Sequence, residues 1–257
     1  MKVFSLLMIL LATKSLSIPG DQNKMLIDLD ISGRRPCKIE VSPSGKFIGG
    51  INHTVRKNSK HTHIIGSVMD GDKLITPGDP TAMSRYVLNT PEDNGFRYVR
   101  VITRYRVACS YLTYAEEFVK MPNSDVYRAI NREPLILDIL EQKEDDNIRI
   151  DILPERSIHQ GNPGHPQILP TCYSIKSEVE LHKTIGEIRY GNYVIDDRVG
   201  GLMCRMVRWE GDIGSPIITI VSTYNDWTQV EMKYEYLIET CEVKMQEYKR
   251  KNLDLLE

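Results

Sequence analysis

Past its first residues the chain has no apolar run approaching the roughly 18 residues that cross a bilayer as a helix, so no helical membrane anchor is expected. The terminal Lys249-Arg250-Lys251-Asn252-Leu253-Asp254-Leu255-Leu256-Glu257 is too short and too charged to act as a lipid-anchor signal. An excess of one charge is lacking too. Lys and Arg number 33 against 35 Asp and Glu, a formal charge of −2, which removes any general attraction to nucleic acid or anionic lipid. Arg56-Lys57 with Lys60, and Lys249-Arg250-Lys251, read as solvated faces. Cysteine is sparse and widely spaced. Cys37, Cys109, Cys172, Cys204 and Cys241 form no C-x-x-C signature, which argues against a zinc ribbon, a redox pair or a small disulfide scaffold. Their odd count leaves at least one unpaired in a monomer. Bridges Cys37–Cys109 and Cys172–Cys204 stand beside the alternative of free thiols.

Signatures of chemistry are missing as well. Neither G-x-x-x-x-G-K-[ST] nor G-x-G-x-x-G occurs, so nothing points to a nucleotide, and no cofactor or metal is expected. Gly211-Asp212-Ile213-Gly214-Ser215-Pro216 has the outline of a serine-protease nucleophile loop, yet Ile213 stands where the attacking hydroxyl belongs. A turn ahead of a strand over 217–221 accounts for it better. His53, His61 and His63 lie close in sequence with no carboxylate or thiolate at ligand spacing, which reads as an exposed polar loop. Asp145-Asp146 and Asp196-Asp197 are adjacent carboxylates that a strand would send to opposite faces, so neither is an acid/base dyad. A non-enzymatic protein is expected.

Against these absences stands an export signal. Lys2 precedes an apolar stretch over residues 3–12, and Ser15 and Ser17 sit three and one before the Ser17/Ile18 bond, as signal peptidase requires. Pro19-Gly20 then begins an extended exit. The mature chain is expected to be secreted. Asn52-His53-Thr54 is the one N-x-[ST] acceptor, which makes Asn52 the candidate for a glycan.

The middle of the chain repeats itself. Ile65-Gly66-Ser67-Val68-Met69-Asp70-Gly71-Asp72-Lys73-Leu74-Ile75 aligns with Ile185-Gly186-Glu187-Ile188-Arg189-Tyr190-Gly191-Asn192-Tyr193-Val194-Ile195, 120 residues on. Val101-Ile102-Thr103-Arg104-Tyr105 aligns with Ile220-Val221-Ser222-Thr223-Tyr224 at 119, and Leu29-Asp30-Ile31 with Leu137-Asp138-Ile139 at 108. An insertion of about ten residues near the Pro- and Gly-rich 160–170 explains the drift. Gly71-Asp72 and Gly191-Asn192 between apolar residues predict one tight hairpin per copy. Alternation at Ile148, Ile150 and Ile152, and at Val230, Met232, Tyr234 and Tyr236, predicts half-buried strands. Leu237, Cys241, Met245 and Tyr248, spaced by three or four, predict an amphipathic terminal helix. Residues 126–133 are expected as a short helical linker.

The expected fold is therefore mainly β: two tandem, similar, β-rich, sandwich-like domains with a C-terminal amphipathic helix. The expected boundaries are a signal at 1–17, domains at 18–121 and 134–237 joined by a linker at 122–133, and the helix at 238–257. Two copies opening on Leu-Asp-Ile, followed by a Gly hairpin and a Thr/Ser-Tyr-bearing strand behind a signal peptide, resemble the FAINT-domain family. These are secreted, repeat-bearing proteins of Theileria and related piroplasm parasites. The resemblance spans 25–121 and 134–237 and departs from the family's pattern at Asp196-Asp197. It implies export toward a host cell and brings no enzyme activity to any position. The leading expectation is a secreted effector or binding module acting on a host-derived protein, with no nucleic-acid partner. A decoy for a host immune ligand is its rival, and a hydrolase with a scattered site is the third reading. Trp209, Trp227, Tyr224, Tyr234 and Tyr236 are the candidate partner-contact aromatics.

Overall fold

Residues 216–224 and 228–237 bury every second side chain along most of their length, the period-two pattern of a strand with one wet face. The computed structural model describes residues 24–92, 94–153, 167–212, 215–237 and 239–256. The expected signal peptide and its cleavage point, and most of the proposed 160–170 insertion, lie outside the described residues.

Among the described residues, eighteen strands fall into two series of nine. The first holds β1 (Met25–Asp30), β2 (Ile39–Pro43), β3 (Ile51–Val55), β4 (His63–Asp70), β5 (Lys73–Thr76), β6 (Ser84–Pro91), β7 (Arg97–Val107), β8 (Ser110–Lys120) and β9 (Arg128–Ala129). The second holds β10 (Glu133–Asp138), β11 (Ile148–Ile152), β12 (Gln167–Ile175), β13 (Lys183–Tyr190), β14 (Tyr193–Asp196), β15 (Leu202–Asp212), β16 (Pro216–Tyr224), β17 (Thr228–Leu237) and β18 (Glu242–Asn252). Strand order repeats between them. A three-stranded sheet β1-β4-β5 answers β10-β13-β14, and a six-stranded sheet β2-β3-β6-β7-β8-β9 answers β11-β12-β15-β16-β17-β18. Irregularities repeat as well: the parallel pair slips register between Ile27 and Leu29 in one series and between Leu135 and Leu137 in the other. The protein is mainly β, built as two tandem, similar, β-rich series.

Packing gathers the described residues into two compact units. One comprises Thr54–Arg85, Arg104–Leu112 and the described residues up to Glu40; the other comprises Val41–His53, Tyr86–Thr103 and the described residues from Thr113 onward. In the first, Leu29, Ile64, Ile65 and Val68 are buried in and around the β1-β4 pair. In the second, Tyr173, Val207, Ile218, Ile220, Met232 and Tyr234 from the six-stranded sheet close on Leu137, Ile185 and Ile188 from the three-stranded sheet and on Ile139 just past β10. Each fully buried aliphatic side chain there contributes about 1.5–3 kcal/mol.

Two devices explain the repeated glycines. Gly71 and Gly191 turn the hairpins at φ +65° and +60°, where a Cβ would be strained. Their amides donate to Asp30 Oδ1 at 2.9 Å and Asp138 Oδ1 at 3.0 Å. The Asp of each opening strand thus holds the hairpin of its own series. Burial pushes the Asp30 carboxyl up, but the amides of Gly71 and Ser32 that donate to it hold it below the usual value. Gly66 and Gly186 serve close approach instead. A Cβ on Gly186 would lie 2.5 Å from Pro134 Cβ and 3.3 Å from the Leu135 carbonyl oxygen. Gly186→Ala is expected to cost about 1–3 kcal/mol in urea unfolding. Gly200→Ala, where a Cβ meets no described atom within 4 Å, should leave stability near the native value.

The carbonyls of those glycines face a buried arginine in each series. Arg85 Nη1 donates to Gly66 O and, at 3.0 Å, to Pro77 O, with Nη2 3.5 Å from Thr76 Oγ1. Arg205, 120 residues on, donates from Nη1 to Gly186 O, from Nη2 to Arg198 O at 2.7 Å and from Nε to Ser222 Oγ at 2.9 Å. Its Nη2 also lies 3.3 Å from the buried Asp196 carboxylate, the residue matching Thr76.

Two helical expectations are corrected. Of the expected helix at 238–257, the described residues 239–256 form none: β17 turns through Cys241, at φ +53°, into β18. Leu237 and Cys241 belong to one strand end and its turn, and Met245 and Tyr248 to the next strand. Gln246 is skipped in the pairing, since Tyr234 faces Met245 while Lys233 faces Glu247. That bulge stretches the strand's period from two to three between Met245 and Tyr248, which imitates a helix face. Residues 126–133 are extended as well. Ile130 N donates to Glu117 O at 2.9 Å and β9 pairs with β8, while Pro134 disfavours a helical residue before it.

Candidate functional site

The two six-stranded sheets make the same surface from different residues. Along β7, Val99, Val101 and Thr103 point to one face and Tyr98, Arg100 and Ile102 to the other, and all six are buried. The matching strand β16 buries Ile218, Ile220 and Ser222 but leaves Ile217, Thr219 and Val221 part-exposed. Both faces of β7 are covered. One face of β16 is open.

What covers the second face of β7 comes from the other series. Trp227, 4% exposed, packs with Ile102, Ala115 and Met203, and Tyr86, Leu253 and Leu255 close around them. Arg100 lies between rings, its guanidinium 4.3 Å from the Trp227 centroid and 5.3 Å from that of Phe47. Burial lowers its pKa, which the nearby Tyr98 and Glu117 partly offset. Phe47 stacks on Tyr98 at 5.6 Å. The Tyr98 hydroxyl donates to Glu117 Oε1, and Arg132 donates to Glu117 Oε2, each at 2.5 Å. Burial first, and then the Glu117 charge, push the Tyr98 hydroxyl well above its ordinary pKa, so it remains a donor. Trp227 Nε1 donates to Asp254 O at 2.8 Å and Leu253 N donates to Trp227 O at 3.0 Å. An aromatic side chain and a leucine-bearing tail thus fill this face.

On the second series the corresponding positions are Met206 for Tyr86, Ile217 for Tyr98, Thr219 for Arg100 and Val221 for Ile102, at shifts of 119 or 120. Met206 is 43% exposed and stands opposite Val221. Asp151, Cys172, Arg208, Thr219, Lys233 and Glu247 oppose one another in a single row across all six strands. Ion pairs edge the surface. Arg208 meets Glu210 at 2.5 Å, and Lys249 meets Glu247 at 2.7 Å and Glu231 at 3.6 Å. The uncharged part is a stripe, β16 with Met206 beside Val221, and Arg208, Glu210, Glu231, Lys233 and Glu235 stand directly opposite its residues on the two flanking strands. Apolar groups set among charges suit a protein-recognition surface.

The residues singled out in the sequence lie elsewhere. Trp227, Tyr234 and Tyr236 are buried, and Trp209 and Tyr224 pack partly buried against the second-series core. Parity decides this, because Tyr234 and Tyr236 fall on the inward register of β17. The Tyr236 ring lies 4.8 Å from Tyr190 and 5.1 Å from Tyr193. Asn52 is 4% exposed, and its Nδ2, the atom a glycan would occupy, donates to Leu256 O at 3.1 Å. A glycan on Asn52 would break that bond and could not share this packing.

The histidine expectation is corrected in part. His61 is exposed, but His53 and His63 are buried in β3 and β4, and Thr62 Oγ1 lies 2.7 Å from His63 Nδ1. No three His, Cys, Asp or Glu side chains among the described residues are grouped to hold a metal. None of the five cysteines is in a disulfide, so of the two alternatives the unbridged thiols hold. Cys172 faces Arg208, four residues along β15 from Cys204, roughly 13 Å away at strand rise and far beyond disulfide reach. Burial, and then the Asp151 charge, raise the Cys172 thiol, so it is a poor nucleophile. The protease-like segment falls at a hairpin, with β15 ending at Asp212 and β16 starting at Pro216; Ile213 and Gly214 lie outside the described residues.

The open face was missed in the sequence, though a signal was there. Residues 217–221 read Ile-Ile-Thr-Ile-Val, uncharged on both parities, where a strand with one solvated face should alternate. The chain matches no family model, no curated protein and no solved structure.

Proposed function

We propose that the chain is an exported, non-enzymatic protein-binding module whose partner seats on the open face of β15, β16 and β17. One observation carries this reading: the same face of the first series is already filled by protein, the Trp227 ring and the tail around Leu253 and Leu255. A surface that one copy completes with an aromatic ring and leucines is complementary to such groups, and Met206, Ile217 and Val221 keep that character in the other copy. The resemblance to secreted piroplasm proteins supplies the setting, an effector that meets a host protein after export.

Two measurements test it. Expressed with residues 1–24 in a secretory cell, the chain should be recovered from the medium with Ile18 at its N-terminus. A photo-crosslinking residue at Thr219 should trap a discrete host protein, and Met206→Arg in the same chain should abolish that adduct. The same group at the exposed Asn123 should trap nothing specific. Equal labelling from both positions, or an adduct indifferent to Met206→Arg, would remove the binding face.

A further inference from the structure

Strand β18 ends the order of its six-stranded sheet, and all but one of its eleven residues are exposed. The matching edge of the first series is only the two-residue β9. A long edge strand presents a row of backbone donors and acceptors to any chain that can pair with it, and charged side chains are the usual barrier to indiscriminate pairing. On β18 the charges also specify a register.

The bulge at Gln246 decides which residues share a face. Glu242 and Lys244 stand opposite Leu237 and Glu235, and past the bulge Glu247 and Lys249 stand opposite Lys233 and Glu231, all on the outward side. Val243, Met245 and Tyr248 stand opposite Tyr236, Tyr234 and Met232, on the other side. In a regular strand Glu242 and Lys249, seven residues apart, would point in opposite directions and could not meet across a two-fold axis. The skipped residue brings them to the same side.

From this we infer that two copies of the chain pair antiparallel through β18, about a two-fold axis between Met245 and Gln246. Glu242 then faces Lys249 of the second copy, Lys244 faces Glu247, and Val243 faces Tyr248, each pair on a common side. Directly opposed residues lie about 5 Å apart at Cβ, within reach of an ion pair. Sliding two residues one way puts Lys244 against Lys249, and two the other way puts Glu242 against Glu247. Of these three registers only the first sets Glu242, Lys244, Glu247 and Lys249 each against an opposite charge, while Arg250 and Lys251 fall beyond the paired segment. Pairing also covers Met245 and Tyr248, 49% and 50% exposed in the single chain. Two six-stranded sheets become one continuous sheet by strand addition, with the self-complementary contact of a two-fold dimer.

Sedimentation equilibrium on the mature chain, residues 18–257, tests this. The native chain should be a dimer, and Lys244→Glu, which sets Glu against Glu at two symmetric places, should weaken it at least about tenfold. Combining Lys244→Glu with Glu247→Lys reverses both partners and should restore the native dissociation constant. These positions are exposed, so unfolding midpoints measured well below the dissociation constant, where every variant is monomeric, should agree with the native value and show that all are folded. A native chain still monomeric at about 100 μM, a dimer unmoved by Lys244→Glu, or a double variant no tighter than the single one would each overturn the pairing. None of these outcomes bears on the open sheet face, whose test is the adduct at Thr219.

Discussion

Trp227→Ala is expected to destabilise the protein by about 3–5 kcal/mol, the range for emptying a large aromatic from a packed core. The ring is nearly fully buried among Ile102, Ala115 and Met203, and it forms one wall of the site that holds the Arg100 guanidinium. Its removal leaves a cavity beneath a charge already low in pKa through burial, a second cost on top of lost dispersion. The backbone adds a diagnostic. Trp227 sits at φ +62°, a left-handed conformation held for the sake of the side chain, so Trp227→Gly relaxes that strain and should cost less than alanine by up to about 1 kcal/mol. Trp227→Phe keeps a ring and loses the bond to Asp254 O, and should fall between native and alanine. Hydrogen exchange at Leu253 and Leu255 should rise in the alanine variant, because both side chains pack on the ring. Unchanged protection there would show that the tail is held by something other than Trp227.

Arg205→Met should be comparably severe, about 3–5 kcal/mol in urea or thermal unfolding, because it breaks a buried ion pair from one side. The Gly186 and Arg198 carbonyls lose a donor, and the Asp196 carboxylate keeps only its contacts from Arg198. Adding Asp196→Thr, the residue the first series carries at the matching Thr76, should recover part of the loss, with a coupling of about 1 kcal/mol or more. Strict additivity of the two changes would mean that the 3.3 Å approach carries no energy.

How much of this was legible follows from the range over which each signal acts. Hairpins at Gly71 and Gly191 are local matters of backbone sign, and a sequence states them outright. The repeat was legible because Leu29-Asp30-Ile31 and Gly71, more than forty positions apart, are two ends of one hydrogen-bonded device, and so are their counterparts in the second series. The terminal strand was misread for a physical reason: one skipped residue at Gln246 converts alternation into a helix-like spacing, and only the partner strand reveals the skip. Which aromatics meet solvent also escaped, since that depends on which face of each sheet is covered. Composition cannot show that Ile102 lies under Trp227 while its counterpart Val221 does not.

That asymmetry sets a limit on dissecting the molecule. Severed near position 121, the leading portion would lose the indole and leucines that roof its outer layer, and Ile102 and Ala115 would meet water. The trailing portion keeps its own interior, from Leu137 to Tyr236, whole.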